Sequence, residues 1–356
     1  MNKIAAPATD TAAELLLENL VSAHSPSYQE GGAVRVLVDW MNAHGYDRAF
    51  IDEAGNAVGI IGQGDQEVVL LGHIDTFPGD LPVYRDGRLL YGRGSVDAKG
   101  PLATFAAAGA RALLPDHLRL VVIGAVEEEA PTSKGARYAA AQYQPQACII
   151  GEPSNWDRIT LGYKGRLLLD WHWRGPLAHS AGQATSPAEH AVDYWQRIGK
   201  YVDQVNDGKE AVFARLDASL QAINTQDHGA YGEASLTAGF RLPPTLTPEE
   251  VEAALQPQDG ATVRARGQEI AFVSDRDHAL SRAMRGAIRA QGGNPRFVYK
   301  TGTSDMNVVG PIWSCPIVAY GPGDSALDHT PEEHLDLDEY LHAVNVLTQT
   351  LERIRF

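Results

Sequence analysis

The sequence predicts an α/β fold, a mixed sheet with helices on both faces, into which a smaller α+β domain is inserted. Apolar runs at 68–71, 120–125 and 147–150 each break into glycine and polar residues, as buried parallel strands do. Helical segments alternate with these runs, which is typical of βαβ units. The length of 356 residues also exceeds one ordinary core of about 150 residues. We therefore expect two domains.

Helices and strands alternate through the first part of the chain. The expected elements are helices over 10–23 and 31–43, strands over 57–61 and 68–71, a helix over 100–114, and strands over 120–125 and 147–150. The third helix opens with Gly100-Pro101, where a missing N–H costs nothing because the first turn leaves that group unpaired. This series predicts a sheet with helical crossovers.

The pattern changes after residue 164. A strand over 167–173, a helix over 187–205, a strand over 233–241 and a helix starting at the Thr247–Glu250 capping box form a module of about a hundred residues. A helix over 277–290, strands at 297–299 and 317–320 and a last helix over 336–353 follow. Because His329 lies in this tail and the other candidate ligands precede residue 153, the tail should rejoin the first domain. The expected boundaries are 1–164, 165–271 and 272–356.

Composition narrows the class of protein. The net charge is −15, with 30 basic against 45 acidic residues, which excludes a nucleic-acid binder because neutralising phosphates requires an excess of Lys and Arg. The two cysteines, Cys148 and Cys315, are too few for a disulfide framework and are expected to be buried thiols. The first 17 residues resemble neither a signal peptide nor a membrane anchor. We expect a cytoplasmic protein without a membrane partner.

Acids and histidines follow the predicted strands. His73, the run Glu127–Glu129, Glu152 and His329 each come after an apolar strand, and Asp97 precedes the alanine-rich helix. In open α/β sheets the ligand crevice lies beyond the carboxyl ends of the strands, so these side chains should converge there. Together they suggest a hydrolase centre with two metal ions.

The spacing of these residues suits that chemistry. His73 and Asp75 leave a strand on the same face, so the carboxylate can orient the imidazole. Asp97 either caps the following helix or reaches two ions with its two oxygens. The run Glu127–Glu129 is either a solvated loop or a pair of ligand and general base, since its repulsion is costly without cations. A mixed N/O donor set favours Zn²⁺ or Co²⁺.

As a set, the motifs resemble the co-catalytic zinc amidohydrolases, which include carboxypeptidase G, succinyl-diaminopimelate desuccinylase, acetylornithine deacetylase and the aminoacylases. They follow the order of that family and cover nearly the whole chain. The matching segments are Gly72-His73-Ile74-Asp75-Thr76, Gly92-Arg93-Gly94-Ser95-Val96-Asp97-Ala98-Lys99-Gly100, Glu128-Glu129, Gly151-Glu152-Pro153-Ser154, Ala178-His179-Ser180, Thr303-Ser304-Asp305 and Asp328-His329.

The resemblance implies a role for each residue. Two Zn²⁺ ions, or Co²⁺ in their place, would be bridged by Asp97, with His73 and Glu152 completing one site and Glu129 and His329 the other. Asp75 would orient His73, and Glu128 would be the general base and later the acid that protonates the leaving amine. The family usually has an Asp before its Glu pair, where this chain has Glu127. The register could therefore lie one position earlier.

The inserted domain has a further implied role. In this family it mediates homodimerisation and lends a histidine to the partner's active site, and His179 matches that position. An imidazole there stabilises the oxyanion of the reaction; the alternative is a surface histidine on a glycine-flanked loop. Arg241 matches a substrate-carboxylate-binding arginine of some members, for which a fork-shaped guanidinium is suited.

Within the family, segments 126–137, 162–165 and 299–307 look most like the hydrolases of carrier-protein lysine biosynthesis. Those enzymes release lysine, or ornithine in the arginine branch, from the C-terminal γ-glutamyl group of LysW, a small acidic carrier protein. Lys300 and Thr303 are then substrate-binding candidates. Lys134, Lys164 and Lys300 either attract the carrier or are solvated surface lysines.

Two rival functions remain open at this point. The first is a small-molecule deacylase on the same scaffold, which would act on free acetyl- or succinyl-amino acids. The second is a non-catalytic member that keeps the fold as a binding or dimerisation module. Such a module would be expected to lose a ligand or the base, whereas this chain keeps every position.

Overall fold

The structure is a computed structural model that describes residues 8–177, 185–258 and 260–356. The chain divides into two compact units. The first comprises Met1–Gly162, Ser274–Val298 and Ser304–Phe356, and the second comprises Tyr163–Val273 and Tyr299–Thr303. The second unit thus takes in a short segment of the chain's last third, which includes Lys300 and Thr303.

The described residues contain helices and strands in alternation. The helices are α1 (Asp10–Ser22), α2 (Gly31–Ala43), α3 (Lys99–Arg111), α4 (Lys134–Gln142), α5 (Pro187–Asn206), α6 (Pro248–Ala254), α7 (Ala279–Ala290), α8 (Asp305–Val309) and α9 (Leu337–Arg353). The strands are β1 (Arg48–Ile51), β2 (Ala57–Ile61), β3 (Gln66–His73), β4 (Tyr84–Asp86), β5 (Leu89–Tyr91), β6 (Leu118–Ala125), β7 (Ala147–Gly151), β8 (Arg158–Tyr163), β9 (Gly165–Pro176), β10 (Asp217–His228), β11 (Tyr231–Leu242), β12 (Thr262–Glu269), β13 (Phe272–Val273), β14 (Arg296–Lys300), β15 (Ile317–Tyr320) and β16 (His334–Asp336). None of these helices is both long and apolar enough to cross a bilayer.

The main sheet of the first unit is mixed, as the sequence predicts. Strands β1, β2, β6, β3, β7, β15 and β8 lie side by side in this order. The central strands β6, β3, β7 and β15 are parallel, whereas β1, β2 and β8 run antiparallel to their neighbours. The carboxyl ends of the central strands therefore meet at one edge, where the candidate ligands follow them.

Helices cover this sheet on both faces, which explains why its central strands are apolar throughout. Leu70 and Val122 belong to a large core cluster that includes side chains of α1, α2, α3, α7 and α9. The alternate residues Val69 and Val121 are equally buried outside that cluster, and α4 and α8 contact the sheet at β6 and β15. Since successive strand residues point to opposite faces, both faces are packed.

Glycines near the strand ends let α3 approach the sheet closely. A Cβ at Gly72 would lie 3.4 Å from the Leu102 side chain, and one at Gly151 would lie 3.0 Å from the ring of Phe105. The second distance is shorter than a side chain tolerates without a shift of its neighbours. This close packing holds the start of α3, and with it the preceding Asp97, beside the ends of β3 and β7.

The second unit is an α+β domain built on a four-stranded antiparallel sheet with the order β10, β11, β9, β12. Alternate residues of β9 and β11, such as Leu167, Leu169 and Phe240, join side chains of α5 and α6 in a separate core. The predicted strands at 167–173 and 233–241 correspond to β9 and β11. Strand β10 lies at the sheet edge and is exposed along nearly its whole length, including Leu220 and Ile223.

Several element ends differ from expectation for identifiable reasons. Thr9, not Asp10, caps α1, since its side chain accepts a hydrogen bond from the Ala12 amide. Asp97 does not cap α3, whose N-cap is Ala98 without a side-chain bond, so the capping alternative for Asp97 is wrong. The last helix begins at Leu337 because the preceding Asp336 caps it through the Asp338 amide.

Candidate metal centre

His73 ends strand β3 and is almost completely buried. Its Nδ1 lies 3.0 Å from the carbonyl oxygen of Asp75 and 3.6 Å from that residue's Oδ1. These contacts fix the ring so that Nε2 points away from Asp75, at 3.2 Å from Oδ1 of Asp97. The ring is thus oriented from one side and presents its second nitrogen to the site, the arrangement seen in metal-ligating histidines.

Asp97 lies between the two candidate histidines. Its Oδ1 faces His73, and its Oδ2 lies 3.1 Å from Nε2 of His329. The peptide between Asp97 and Ala98 is cis. Each oxygen of this one carboxylate therefore serves a different half of the site, which is the geometry that a bridging ligand requires.

Asp75 also organises the acidic run. Its two carboxylate oxygens accept hydrogen bonds from the backbone amides of Glu128 and Glu129, each at 3.0 Å, and its Oδ2 accepts another from the Ser27 hydroxyl at 2.7 Å. Glu129 then places Oε1 at 3.0 Å from Nε2 of His329. The buried Asp75 thus fixes both adjacent glutamates through their backbone.

The side chains form two donor groups that share Asp97. One contains His73, Asp97 and Glu152, the other Asp97, Glu129 and His329, and the ligand atoms of each group lie within 4.8 Å of one another. Each group mixes imidazole nitrogen with carboxylate oxygen, the donors that suit Zn²⁺ and similar divalent ions. The residues present therefore fit a pair of metal ions.

Ionisation of the two histidines supports the same fit. Burial opposes a charge on His73, but its hydrogen bonds with Asp75 and Asp97 raise its pKa well above the usual value. Hydrogen bonds with Asp97 and Glu129 raise the pKa of His329 to about 10. The surrounding carboxylates thus favour positive charge at the two imidazoles, which is where cations would bind.

Burial raises the pKa of two glutamates of the site, Glu128 and Glu152. Burial raises the pKa of Glu128 well above its usual range, and the carboxylates of Asp305 and Glu129 add to this shift. Burial, with the charge of Glu128, likewise raises the pKa of Glu152. A raised pKa favours a carboxyl group that takes up a proton and returns it.

Two site residues adopt backbone conformations that are unusual for a side-chain-bearing residue. Glu127 has φ of 63° and His329 has φ of 61°, both in the left-handed region. Such conformations persist where the surroundings fix them and often occur at functional sites. The turn at Glu127 begins the acidic run, and the one at His329 directs its ring toward Asp97 and Glu129.

Three further residues support the candidate ligands, although the sequence analysis did not identify them as site residues. The ring of Phe77 stacks on His329, and Glu333 accepts hydrogen bonds from the amides of Val96 and Asp97. Arg93 pairs with Glu333 at 2.7 Å. Two features of the sequence could have indicated these residues. An aromatic residue directly follows His73-Ile74-Asp75-Thr76, and two adjacent acids, Glu332-Glu333, follow His329.

The substrate-binding candidates lie in the second unit. Nη1 of Arg241 donates to the Thr303 hydroxyl at 2.9 Å. The carbonyl oxygen of Lys300 accepts from the Lys164 amide at 3.2 Å. His179 lies outside the described residues.

Lys164 was expected either to attract the carrier or to be a solvated surface lysine, and the second alternative is wrong for this residue. It is fully buried, and its Nζ donates to Asp217 Oδ2 at 2.6 Å and to the Arg215 carbonyl at 2.7 Å. It therefore holds the start of β10 and does not face a carrier protein. Lys134 is half exposed, with Nζ 3.8 Å from Oε1 of Glu127.

A mixed α/β sheet with such donor groups and a buried glutamate of raised pKa at its strand ends is typical of the class of metal-dependent hydrolases. Residues 69–353 match the peptidase family M20/M25/M40. The chain belongs to this family, a hydrolase family acting on amide bonds, and the resemblance inferred from the motifs is thereby confirmed.

The similarity to individual relatives extends over nearly the full chain. A LysW-lysine hydrolase from Deinococcus radiodurans is 49% identical over 353 residues, covering 96% of this chain and 97% of the relative. A LysW-lysine/LysW-ornithine hydrolase from Saccharolobus islandicus is 27% identical over 344 residues, covering 96% of each. The crystal structure of an M20 family metallo-carboxypeptidase from Sulfolobus solfataricus shares the fold, with a TM-score of 0.77 at 17% identity over 96% of this chain and 98% of that one.

Proposed function

We propose that this protein hydrolyses the amide bond that joins lysine, or ornithine, to the C-terminal γ-glutamyl group of a LysW-type carrier protein. The observation that carries the proposal is the pair of donor groups sharing Asp97, with Glu128 beside them, in a chain that is 49% identical over 353 residues to a LysW-lysine hydrolase. The relative from Saccharolobus islandicus supports ornithine as a second substrate, since its name includes both conjugates.

The proposed cofactor is a pair of Zn²⁺ ions per subunit, with Co²⁺ as a substitute. His73 and Glu152 would hold one ion, Glu129 and His329 the other, and Asp97 would bridge them. When bound, the ions polarise the scissile carbonyl and lower the pKa of the attacking water. Asp75 keeps His73 in the orientation that presents Nε2, and it holds the backbone of the two glutamates.

Glu128 is the proposed general base and acid. Its backbone is fixed by Asp75, whereas its side chain is not part of either donor group. The carboxylate takes a proton from the water as the water attacks the γ-carbonyl carbon. It then returns that proton to the α-amino nitrogen of the departing lysine, so the amide C–N bond breaks and a carboxylic acid and an amine are formed; transfer of the acid's proton to the amine leaves a carboxylate and an ammonium group. The raised pKa of Glu128 suits both transfers.

The proposed site for the carboxylate of the released amino acid is Arg241. The Thr303 hydroxyl accepts one of its N–H groups and so limits the motion of the guanidinium. Arg241 lines a cavity of about 160 Å³ in the second unit. A planar guanidinium binds a carboxylate with two parallel hydrogen bonds, which distinguishes an amino acid from a simple amine. Lys300 is the second candidate for this task.

The protein is proposed to act as a homodimer formed by the second unit. Its edge strand β10 is exposed and carries the apolar residues Leu220 and Ile223, exposed by 38% and 42%. Exposed edge strands of this kind pair readily with another strand. In such a dimer the partner subunit's His179 would stabilise the oxyanion that forms during attack.

The test of the dimer is complementation. H179A and E128Q are each expected to be inactive alone, but a mixed dimer contains one site with an intact Glu128 and an intact His179 from the partner. Mixing the two variants after reversible dissociation should therefore restore activity. No recovery, although mixed dimers are detected by mass, would contradict a histidine acting across the interface.

The test of the substrate is amino-acid release by the Zn²⁺- or Co²⁺-loaded protein. Lysine and ornithine attached to the carrier's terminal glutamate are compared with N-acetyl-lysine and N-acetyl-ornithine, with E128Q as the blank. Release from the carrier conjugates is expected. Release from the acetyl compounds alone would instead identify a small-molecule deacylase. No release from either would favour the non-catalytic alternative.

A further inference from the structure

Glu333 connects the two segments that carry Asp97 and His329. It is 1% exposed, and its Oε1 accepts hydrogen bonds from the backbone amides of Val96 and Asp97, each at 3.1 Å. Its backbone carbonyl also accepts from the Gly92 amide at 3.2 Å. One buried side chain therefore holds the turn that presents the bridging carboxylate, although it lies more than two hundred residues further along the chain.

Arg93 completes this connection. Its Nη1 lies 2.7 Å from Oε2 of Glu333 and donates to the carbonyl of Thr330 at 3.3 Å, while its Nε donates to the carbonyl of Gly79 at 3.0 Å. Thr330 directly follows His329, and Gly79 lies two residues after Phe77. A single guanidinium thus joins three segments that surround the donor group of Asp97, Glu129 and His329.

We propose that Arg93 and Glu333 are positioning residues that set the separation of Asp97 and His329 and thereby the affinity for the metal ion held between them. The inference rests on the proposed metal centre. His329 needs such support, because its backbone lies in the left-handed region at φ of 61° and its side chain is 41% exposed. The bond from Arg93 to the Thr330 carbonyl adds to the bonds that the Thr330 amide and hydroxyl donate to the Leu327 carbonyl, so it helps to hold the residue next to His329.

The pair has to be ionic to hold all of these contacts. Oε1 already accepts from two amides, and Oε2 faces the guanidinium, so an amide group in place of the carboxylate would direct its NH₂ against Arg93. The Glu333 side chain is fully buried and that of Arg93 is 13% exposed. Removing one member of a buried pair leaves the other charge uncompensated, which is costly. Loss of the ion pair would displace the segments that it joins.

The two metal positions should respond unequally. The donor group that contains His73 and Glu152 is connected to the pair through Asp97. Within the described residues no hydrogen bond joins His73 or Glu152 to Arg93 or Glu333. The other group depends on the pair twice, through Asp97 and through the loop of His329. Weakening the pair should therefore affect the ion near His329 more strongly.

The experiment is a stepwise titration of metal-free protein with Zn²⁺ by calorimetry, repeated with Co²⁺ by visible absorption. E333Q and R93K are compared with the wild type, and H329A identifies the binding step that involves His329. We expect that step to weaken by about tenfold or more in E333Q and R93K, as for other residues that orient metal ligands, with a smaller change in the other step. R93K keeps the charge but cannot reach three oxygens at once, so it carries the same prediction if E333Q does not fold.

R111K is the matched control. Arg111 likewise joins distant segments of the first unit, since it donates to the Ala8 carbonyl and to Asn345, but it contacts no candidate ligand. If both binding steps were unchanged in E333Q and in R93K, the inference would be overturned. An equal loss of metal affinity in R111K would also overturn it, because it would indicate general destabilisation. A wild type that binds fewer than two ions would instead overturn the proposed metal centre itself.

Discussion

The ring of Phe77 lies against the imidazole of His329, with the ring centroids 4.1 Å apart and an angle of 14° between the planes. The two residues come from different loops of the first unit. Phe77 follows the strand that carries His73, whereas His329 belongs to the other donor group. The stack therefore links the two halves of the site and restrains the more exposed of its two histidines.

The F77A variant should weaken metal binding at His329. Aromatic stacking contributes about 0.5–1.5 kcal/mol, so a roughly two- to tenfold loss of affinity in that step is expected. The measurement is the same Zn²⁺ titration, accompanied by kcat/KM. Y84A is the control, because Tyr84 is also exposed and stacks on Tyr91 at 4.6 Å in the same unit. An equal effect of Y84A would contradict a specific role for Phe77.

The E128Q variant should lose turnover while retaining metal. General acid–base catalysis contributes about 10²–10⁴ to the rate, and kcat should fall by that factor at an unchanged metal content measured by mass spectrometry. E127Q tests the register of the acidic run, because Glu127 Oε2 accepts from the Thr132 hydroxyl, outside both donor groups. Activity that survives in E128Q but is lost in E127Q would reassign the base.

The R241K variant should bind the amino-acid end of the substrate less well. Hydrogen bonds to charged groups contribute about 1.5–3 kcal/mol, so KM should rise by roughly tenfold or more while kcat changes less. A conjugate of lysinamide, which lacks the carboxylate, should discriminate little between wild type and variant. R166K is the control, since Arg166 lines the same cavity but its Nε donates to the Gly267 carbonyl. Equal losses for both conjugates would exclude carboxylate recognition.

Glu339 should make the stability of the first unit depend on pH. Burial raises its pKa above the ordinary 4.5, although its Oε1 accepts from the amides of Trp156 and Gly323. A raised folded-state pKa stabilises the fold below pH 4.5, and this contribution is lost as pH rises through the folded-state pKa, with a slope of at most about 1.4 kcal/mol per pH unit. E339Q should remove this decline.

The measurement for Glu339 is the urea-unfolding free energy of chelator-treated protein across a range of pH. As pH rises from acid to neutral values, the unfolding free energy of the wild type should fall relative to that of E339Q. E332Q, which changes an exposed glutamate, should follow the wild type. A difference that does not vary with pH would show that the pKa of Glu339 is the same in the folded and unfolded states and would contradict the prediction.

Which parts of the fold were predictable depended on burial. Strands such as β3 and β6 are covered on both faces, so their sequences are continuously apolar and their ends are marked by glycine and polar residues. Strands β10 and β12 were not predicted; they form the two edges of the second sheet, and β10 is exposed along nearly its whole length. Their place is determined by pairing with β11 and β9, which local sequence does not record.

Predictability of the site followed the same logic. The ligand candidates were found because each follows a strand or precedes a helix, and strand order brings such ends together. The register of the acidic run could not be decided from three identical side chains. In the structure Asp75 binds the amides of Glu128 and Glu129, and Glu129 joins the donor group of Asp97 and His329, which supports the predicted register. The pairing of Arg93 with Glu333 is likewise long-range and leaves no local pattern.

The order of the candidate ligands along the chain has a consequence for biosynthesis. His73, Asp97 and Glu152 all precede the second unit, whereas His329 follows it and is therefore synthesised after it. A ribosome that has finished the second unit has thus made the complete donor group for one ion but only Asp97 and Glu129 of the other. The second donor group can therefore form only after the segment that carries His329 has been synthesised and has folded back onto the first unit.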